Sequence, residues 1–218
     1  MIPLVLEPKK SSLKVLCLGS HCDDIEIGCG GTLLNLIQSH RGNVVVRWVV
    51  FSSTPEREKE ARRSSQAFLK NVKQKTIIIK QFEDSFFPYH GREIKKAIHE
   101  QGQGFSPEVI FTHYRNDLHQ DHRLIGELTW NAFRDHWILE YEIPKYDGDL
   151  GSPNVFVPLT EATTRKKIDH VVRYFQSQRS KQWFTKETFL SIHRLRGLEC
   201  NSASGYAEAF YCRKSVLG

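Results

Sequence analysis

The sequence has few sulfur-containing residues and no long apolar run. Its five cysteines show no C-x-x-C spacing, and their odd number argues against a disulfide scaffold. Free thiols favour a reducing compartment, so we expect a cytoplasmic protein. The longest apolar stretch, residues 44–51, is interrupted by Arg47 and is far shorter than a membrane-spanning helix. We therefore expect a soluble protein without a membrane span.

Targeting and nucleic-acid-binding signatures are also lacking. The first residues, MIPLVLEPKK, carry neither a basic start nor a long apolar segment, which predicts that they are not a signal peptide. Helix-turn-helix, zinc-finger and RNP-like patterns are absent, so nucleic acid is not an expected partner. The 31 basic and 25 acidic residues give a net charge of +6. This balance is typical of a solvated surface, and a phosphorylated substrate is the sharper alternative.

The length and composition indicate one globular domain that covers residues 1–218. The chain has 39% hydrophobic and 26% charged residues, which is the ordinary range for globular proteins. Four short apolar segments alternate with segments of helical periodicity in its first two thirds. The predicted strands are residues 14–19, 43–51, 75–80 and 108–112, and the predicted helices are residues 28–40, 55–70, 92–100 and 121–136.

This alternation indicates parallel βαβ units, because the short strands lack a regular polar alternation. The later predicted strands are residues 138–143, 154–157 and 206–212, and the later predicted helices are residues 166–176 and 186–195. We therefore expect an α/β fold, namely a Rossmann-like, doubly wound, mostly parallel sheet with helices on both faces.

Two short windows concentrate the residue types that bind metals and transfer protons. Residues 20–24 (SHCDD) follow the first predicted strand, and residues 113–122 (HYRNDLHQDH) follow the fourth. In the commonest doubly wound order these two strands are neighbours, and ligands bind in the crevice at their carboxyl ends. We therefore expect the two windows to face each other and to form one site.

Three of these side chains supply a frequent zinc-binding set of two histidines, one carboxylate and an open position. They are His21, Asp24 and His122, and the i, i+3 spacing of His21 and Asp24 lets both converge in a turn. Asp23 is then left free as a base. His119 also lies three residues before His122, so one of these two histidines binds the metal while the other meets the substrate. Zinc lowers the pKa of a bound water to about 7 and so creates a nucleophile without serine or cysteine.

The segment of residues 28–32 (GCGGT) is interpreted as the start of the first helix. Its glycines are expected to let this helix approach the sheet closely, with phosphate binding at the helix start as the alternative. Cys22 lies between His21 and Asp23, and we expect it to be a packing residue that is turned away from the metal.

The combination of these motifs resembles the PIG-L/LmbE-like N-acetylglucosaminyl deacetylases. That family has a (P/A)HPDD turn, a GxGGT helix start and a later HxDH motif. The matching residues here are 21–24 (HCDD), 28–32 (GCGGT) and 119–122 (HQDH), and residues 206–210 (YAEAF) are similar to the family's C-terminal end. Cys22 stands where the family usually has proline, which affects the stiffness of the turn but removes no ligand.

The resemblance implies a metal-dependent hydrolase that removes the acetyl group from an N-acetyl amino sugar by attack of a zinc-bound water, with iron as the alternative metal. The implied metal ligands are His21, Asp24 and His122. Asp23 would be the general base. Protonated His119 would stabilise the oxyanion or donate a proton to the leaving amine, and Asp121 would orient or charge-stabilise a histidine.

The resemblance also implies two substrate-binding residues. Arg57, in an R-x-x-E pattern, is similar to a substrate-binding arginine, and Asp84, in FEDSFF, is similarly placed to an aspartate that binds a sugar hydroxyl. The group attached to the sugar and the oligomeric state, including a homo-oligomer, stay open. Two other functions stay open as well: a two-metal phosphoesterase, and a non-catalytic sugar- or nucleotide-binding module of the same fold.

Overall fold

The computed structural model describes residues 12–216, which contain one seven-stranded sheet. The strands are β1 (Leu13–Gly19), β2 (Val44–Val50), β3 (Gln74–Ile79), β4 (Val109–His113), β5 (Trp137–Tyr141), β6 (Val155–Leu159) and β7 (Tyr206–Tyr211). The helices are α1 (Asp24–Ser39), α2 (Pro55–Phe68), α3 (Gly91–Gly102), α4 (Gln120–Ala132), α5 (Glu161–Tyr174) and α6 (Lys186–Glu199). Within residues 12–216, no helix has the length and apolar character needed to cross a bilayer. The segment MIPLVLEPKK, for which no signal peptide is predicted, lies outside the described residues.

The order of the strands confirms the predicted doubly wound sheet. The order is β3-β2-β1-β4-β5-β7-β6. Strands β1 to β5 pair in parallel, whereas β7 pairs antiparallel with both β5 and β6. Strands β1 and β4, which precede the two windows, are neighbours, with Cys17 opposite Phe111. The crevice between their carboxyl ends is therefore the topological switch point of the sheet.

Alternate residues of β1 enter two separate hydrophobic cores. Val15 and Cys17 pack in a core with residues of α1, α2, α5 and α6, whereas Leu16 and Leu18 pack in a core with residues of α3 and α4. Successive side chains of a strand point to opposite faces of a sheet. The helices therefore cover both faces, as predicted, and this explains why the buried strands carry apolar residues at consecutive positions.

Helix α1 begins at Asp24 and not at Gly28, as the sequence had indicated. The helix starts earlier because Ile25 and Ile27 are buried in the core and continue its apolar face. A Cβ atom on Gly28 would lie 2.2 Å from the ring of Tyr141. Gly28 lies inside the helix, where the helix approaches β5 closely, so the packing interpretation is confirmed. The alternative, in which residues 28–32 bind a phosphate at the start of a helix, does not apply because the helix starts at Asp24.

A buried ion pair joins α1 to the C-terminal third of the chain. Lys167 of α5 and Glu208 of β7 are almost fully buried, and their Nζ and Oε1 atoms are 2.6 Å apart. Lys167 also donates to the backbone oxygen of Ile27 at 2.6 Å. Glu208 accepts the backbone N–H groups of Gly31 at 2.7 Å and Thr32 at 2.6 Å. Ile27 and Gly31 are separated by the spacing of one helical hydrogen bond, so the ion pair fixes one turn of α1.

Helices α5 and α4 also depart from their predicted boundaries. Helix α5 begins at Glu161 and not at residue 166, because Thr160 caps it by accepting the backbone N–H of Thr163. Helix α4 ends at Ala132 and not at residue 136, because the chain turns there into β5. Neither difference moves a residue of the predicted site.

Candidate metal centre and active site

The two windows meet at the carboxyl ends of β1 and β4. The backbone N–H of Ser20 donates to Nε2 of His113 at 2.9 Å. Nδ1 of His21 lies 3.1 Å from Nε2 of His122. All of these residues are buried. The strand order therefore brings the two windows into one site, as predicted.

Three candidate donor side chains converge at the centre of this site. Nδ1 of His21 lies 3.1 Å from Nε2 of His122 and 3.5 Å from Oδ2 of Asp24. Nε2 of His122 lies 3.6 Å from Oδ1 of Asp24. Nitrogen and oxygen ligands about 2.0–2.1 Å from a tetrahedral zinc ion are roughly 3.3 Å apart. Each pair of these side chains therefore has donor atoms at a spacing that suits a zinc ion, with Oδ2 of Asp24 facing His21 and Oδ1 facing His122, and two imidazoles with one carboxylate are a common zinc-binding set.

Carboxylates contact the outer nitrogen of both histidines. Nε2 of His21 lies 3.0 Å from Oδ1 of Asp84 and 3.3 Å from Oδ2 of Asp121. Nδ1 of His122 lies 3.0 Å from Oδ2 of Asp117. When Nε2 of His21 and Nδ1 of His122, the outer nitrogens, each carry the proton, the lone pair of the other ring nitrogen points to the space between His21, Asp24 and His122. This is the usual arrangement around metal-binding histidines.

Burial and neighbouring charges shift the pKa values of the two histidines in opposite directions. Burial alone would lower the pKa of His21, but the carboxylates of Asp24 and Asp121 raise it overall. Burial, followed by the nearby His113, lowers the pKa of His122 to about 3. His122 is therefore neutral, which is the form of imidazole that binds a metal.

His113 is a site residue for which the sequence predicts no role. Its ring stacks on the ring of His122 with centroids 3.9 Å apart, and it forms an alternative donor group with Asp24 and His122. Nε2 of His113 lies 2.9 Å from the Ser20 nitrogen and 3.1 Å from Oδ2 of Asp24, so we interpret His113 as a residue that joins the two windows. Its place at the start of the second window is the one sequence signal that could have identified it.

Asp23 has one paired and one unpaired carboxylate oxygen. Oδ1 accepts a hydrogen bond from Nη2 of Arg57 at 2.8 Å, whereas Oδ2 is buried without a hydrogen-bond partner. Burial raises the pKa of Asp23, Arg57 opposes this shift and Asp24 adds to it. A buried carboxylate with a free oxygen and a raised pKa is suited to accept a proton.

Arg57 and Asp84, the two predicted substrate-binding residues, also reach the site. Arg57 lies in the first turn of α2, where Thr54 caps the helix and accepts the Arg57 backbone N–H at 3.3 Å. Nη1 of Arg57 lies 4.0 Å from Oδ2 of Asp84, whose side chain is 54% exposed. Hydrogen bonding to His21 holds the pKa of Asp84 well below its usual range. Asp84 is therefore an ionised side chain between the buried donors and solvent.

His119 lies beside both histidines of the candidate ligand set and forms a donor group with them. Its ring centroid is 5.0 Å from that of His21 and 4.6 Å from that of His122. Nδ1 of His119 accepts the backbone N–H of Asp121 at 3.3 Å, so the neutral ring carries its proton on Nε2. Burial, followed by the charge of His21, lowers the pKa of His119.

Asp121 connects His21 to the loop after β3. Its carboxylate accepts the backbone N–H of Ser85 at 2.7 Å and that of Phe87 at 3.2 Å, in addition to its contact with His21. This loop carries Asp84. Asp121 therefore contacts a histidine, as the family resemblance implied, and it also anchors the loop that holds a candidate substrate-binding residue.

Cys22 is buried in the hydrophobic core, as predicted. Its Sγ donates to the backbone oxygen of Ser52 at 3.4 Å. Burial raises the pKa of the thiol well above its usual value. The side chain is therefore a protonated packing group and not a candidate metal ligand.

Comparisons with known proteins agree with this architecture. The PIG-L family, described as GlcNAc-PI de-N-acetylase, matches residues 16–133, which is more than half of the chain. This chain belongs to the PIG-L family. The region matched by the PIG-L family contains both windows, Arg57 and Asp84, and it ends before β5.

Solved structures share the fold of this PIG-L protein over nearly its whole length. The N,N'-diacetylchitobiose deacetylase of Pyrococcus horikoshii is 20% identical, with 91% of this chain and 83% of that chain covered and a TM-score of 0.67. The zinc-inhibited form of teicoplanin deacetylase Orf2 is 15% identical, with 92% and 97% covered and a TM-score of 0.67. GalB, the 4-carboxy-2-hydroxymuconate hydratase of Pseudomonas putida, is 14% identical, with 94% and 98% covered and a TM-score of 0.73. The fold thus also occurs in a protein that catalyses a different reaction.

Proposed function

We propose that this protein is a metal-dependent hydrolase that removes the acetyl group from an N-acetyl amino sugar of the N-acetylglucosamine type. The observation that carries the proposal is the convergence of three metal donors next to Asp23, whose Oδ2 atom has no partner. Membership of the PIG-L family supports this reaction, and so do the deacetylases that share the fold. The sugar would belong to a glycoconjugate or a sugar nucleotide.

The chemistry of the donor set favours zinc, with iron as the alternative in a reducing compartment. Nδ1 of His21, Nε2 of His122 and a carboxylate oxygen of Asp24 would hold the ion. When bound, such an ion lowers the pKa of a coordinated water and polarises the acetyl carbonyl. Asp117 and Asp121 would keep the outer nitrogens of the two histidines protonated.

Asp23 is the proposed general base. Its Oδ2 atom takes a proton from the attacking water while the new C–O bond forms. The resulting carboxylic acid returns that proton to the amine nitrogen as the C–N bond breaks, so that acetate and the free amino sugar are the products. The ion pair between Oδ1 and Arg57 fixes the side chain and leaves Oδ2 available.

His119 is the proposed stabiliser of the oxyanion. Its lowered pKa favours a neutral ring, and the bond from the Asp121 N–H places the ring proton on Nε2. That N–H group can donate to the acetyl oxygen as negative charge develops there. Proton donation to the leaving amine, the other role that the family resemblance implied, requires a protonated His119 and is favoured less by this environment.

Arg57 and Asp84 are the proposed substrate-binding residues. The half-exposed carboxylate of Asp84 lies between the metal donors and solvent, where it can accept a hydrogen bond from a sugar hydroxyl. Arg57 is mainly committed to Asp23, so its first task is to hold the base, and the remaining guanidinium N–H groups can contact the substrate. Two further points belong to this proposal. The net charge of +6 favours a phosphorylated sugar, and the free cysteines favour a cytoplasmic location.

Acetate release by the purified, zinc-loaded protein tests the proposal. The substrates are N-acetylglucosamine, its 1-phosphate, N,N'-diacetylchitobiose and UDP-N-acetylglucosamine. We expect acetate from at least one of them and no measurable release by Asp23→Asn. Arg62→Met, an exposed change on the helix that carries Arg57, is the control and should retain activity. Zinc-loaded protein that releases phosphate but no acetate would contradict the proposal.

The two other functions left open by the sequence make different predictions. A two-metal phosphoesterase needs two ions about 3.5–4 Å apart. The second donor group near the site consists of His21, Asp84, His119 and Asp121. It shares His21 with the proposed ligand set, but it shares no residue with the alternative donor group of Asp24, His113 and His122. The metal content therefore distinguishes the two enzymes: one ion per chain fits the proposed ligand set, and two ions per chain would favour the phosphoesterase. Sugar binding without turnover would indicate the non-catalytic module.

A further inference from the structure

Asp117 contacts His119 and His122, two of the three histidines of the second window. Its Oδ2 atom lies 3.0 Å from Nδ1 of His122, and its Oδ1 atom accepts the backbone N–H of His119 at 2.8 Å. The residue is only 2% exposed. A buried carboxylate is costly unless other groups neutralise it and satisfy its oxygen atoms. A group that neutralises Asp117 therefore also helps to hold His122 in place, because Asp117 contacts His122 directly.

That group is Lys145, in the loop between β5 and β6. Its Nζ lies 3.0 Å from Oδ1 of Asp117, and its side chain is 8% exposed. The same ammonium group forms a hydrogen bond with Asp149 and lies 3.7 Å from Oδ2 of Asp147. Lys145 lies outside residues 16–133, the region matched by the family, and no motif in the sequence marks it.

Lys145 also ties its own loop to the second window. Asp149, its nearest partner, accepts the backbone N–H of Leu118 at 2.8 Å. Leu118 directly follows Asp117. The ammonium group of Lys145 therefore contacts the second window directly, through Asp117, and also indirectly, through Asp149 and the backbone of Leu118. Loss of the ammonium would leave Asp117 and Asp149 as unneutralised neighbours, and their repulsion would push the two segments apart.

We propose that Lys145 is a positioning residue of the metal centre, which acts through Asp117 to hold the Nδ1 proton of His122 and to keep Nε2 directed at the metal. This inference rests on the part of the proposed function that assigns His122 as a ligand. Removing a residue that orients a ligand typically weakens metal binding by about 10–100-fold. Lys145 contacts Asp117 and not His122 itself, so we expect its removal to weaken zinc binding by a factor near the lower end of that range.

The dissociation constant for Zn²⁺, measured by competition with a chromogenic chelator, tests this inference without any substrate. We expect about tenfold weaker binding by Lys145→Met and about 10–100-fold weaker binding by Asp117→Asn. Lys145→Arg should recover most of the affinity because it retains the charge. Lys186→Met removes an exposed lysine that pairs with Asp169 far from the site in sequence and fold, and it should bind zinc like the wild type.

The double variant Lys145→Met/Asp117→Asn separates a positioning role from an independent one. If Lys145 acts through Asp117, the double variant binds zinc no more weakly than Asp117→Asn, because the two effects share one route. Multiplied effects, or wild-type affinity in Lys145→Met, would overturn the inference. Circular dichroism of each metal-free variant verifies that it is folded, and Lys145→Arg keeps the test decisive if Lys145→Met is not.

The outcome is distinguishable from failure of the proposed function. A protein whose zinc affinity depends on Lys145 and Asp117, but which releases no acetate from any sugar, supports the positioning role and contradicts the deacetylase. Zinc binding that does not depend on Lys145 overturns the positioning role alone. A wild-type protein that binds no zinc overturns both.

Discussion

The guanidinium group of Arg57 lies 2.8 Å from one carboxylate oxygen of Asp23, while the other oxygen of Asp23 is buried without a partner. The two oxygens of one side chain thus have different tasks. The paired oxygen holds the side chain in place, and the unpaired oxygen is the candidate proton acceptor. The ion pair also opposes the raised pKa that burial gives to Asp23.

Asp23→Asn should abolish most of the activity and leave zinc binding intact. The amide cannot accept a proton from water, and the loss of a general base typically lowers the rate by about 10²–10⁴-fold. We expect the loss in kcat, with little change in zinc content. Acetate release and metal analysis on the same preparation measure both quantities. Unchanged turnover would show that another group is the base.

Arg57→Met should move the acidic limb of the pH–rate profile to higher pH. Arg57 lowers the pKa of Asp23, so its removal raises that pKa. The base is then protonated at a higher pH, and activity is lost sooner as the pH falls. The profile of kcat/KM against pH reports this shift. Arg62→Met is the control, and an acidic limb that stays in place would refute the coupling.

His21→Ala and His113→Gln together identify the true donor set. We expect about one zinc ion per wild-type chain, a large loss of zinc in His21→Ala and near-normal content in His113→Gln. Glutamine can still accept the Ser20 N–H, so this change preserves the junction of the two windows. Elemental analysis after gel filtration gives the metal content. The reverse pattern would assign the centre to Asp24, His113 and His122.

Lys167→Met should destabilise the fold without direct contact with the metal donors. Removing one partner of a buried ion pair typically costs about 3–5 kcal/mol. Urea unfolding at neutral pH measures the loss, with the exposed Lys186→Met as the control. A free energy of unfolding within about 0.5 kcal/mol of the wild type would contradict the role of this ion pair.

The same ion pair predicts a sign for the acid dependence of stability. Burial would raise the pKa of Glu208, but Lys167, followed by His193, lowers it to about 2 from the ordinary value of 4.5. A group whose pKa is lower in the folded state stabilises that state above its unfolded pKa. This contribution should therefore be complete above pH 4.5 and should disappear as the pH falls toward 2.

Gly28→Ala should destabilise the protein by about 1–3 kcal/mol, because overpacking a close contact has this typical cost. The new methyl group would lie 2.2 Å from the ring of Tyr141, whereas a Cβ on Gly91 would contact nothing within 4 Å. Gly91→Ala is the matched control and should be neutral or slightly stabilising. Equal unfolding free energies for the two variants would show that α1 can move away from β5.

The sequence predicted the centre of the site better than its surroundings. His21 and His122 could be identified because each lies in a dense motif at the end of a predicted strand, and the sheet order then had to bring them together. Lys145 could not be identified, since its proposed role comes from a contact with Asp117, which lies far away in the sequence, and no motif marks it. The sequence predicts that α1 starts at Gly28, and this is wrong. Gly28 lies inside the helix, where it permits close packing against Tyr141.

The ion pair between Lys167 and Glu208 has a practical consequence for anyone who designs a shorter version of this protein. The family match ends at residue 133, which suggests a natural place to truncate the chain. The helix that supplies Asp24, however, is bonded at Ile27 and Gly31 by side chains from α5 and β7. A fragment that stops after residue 133 would retain the HCDD, GCGGT and HQDH motifs and lose the side chains of Lys167 and Glu208, which bond its first helix. The limits of sequence similarity are therefore narrower than the limits of the cooperative folding unit.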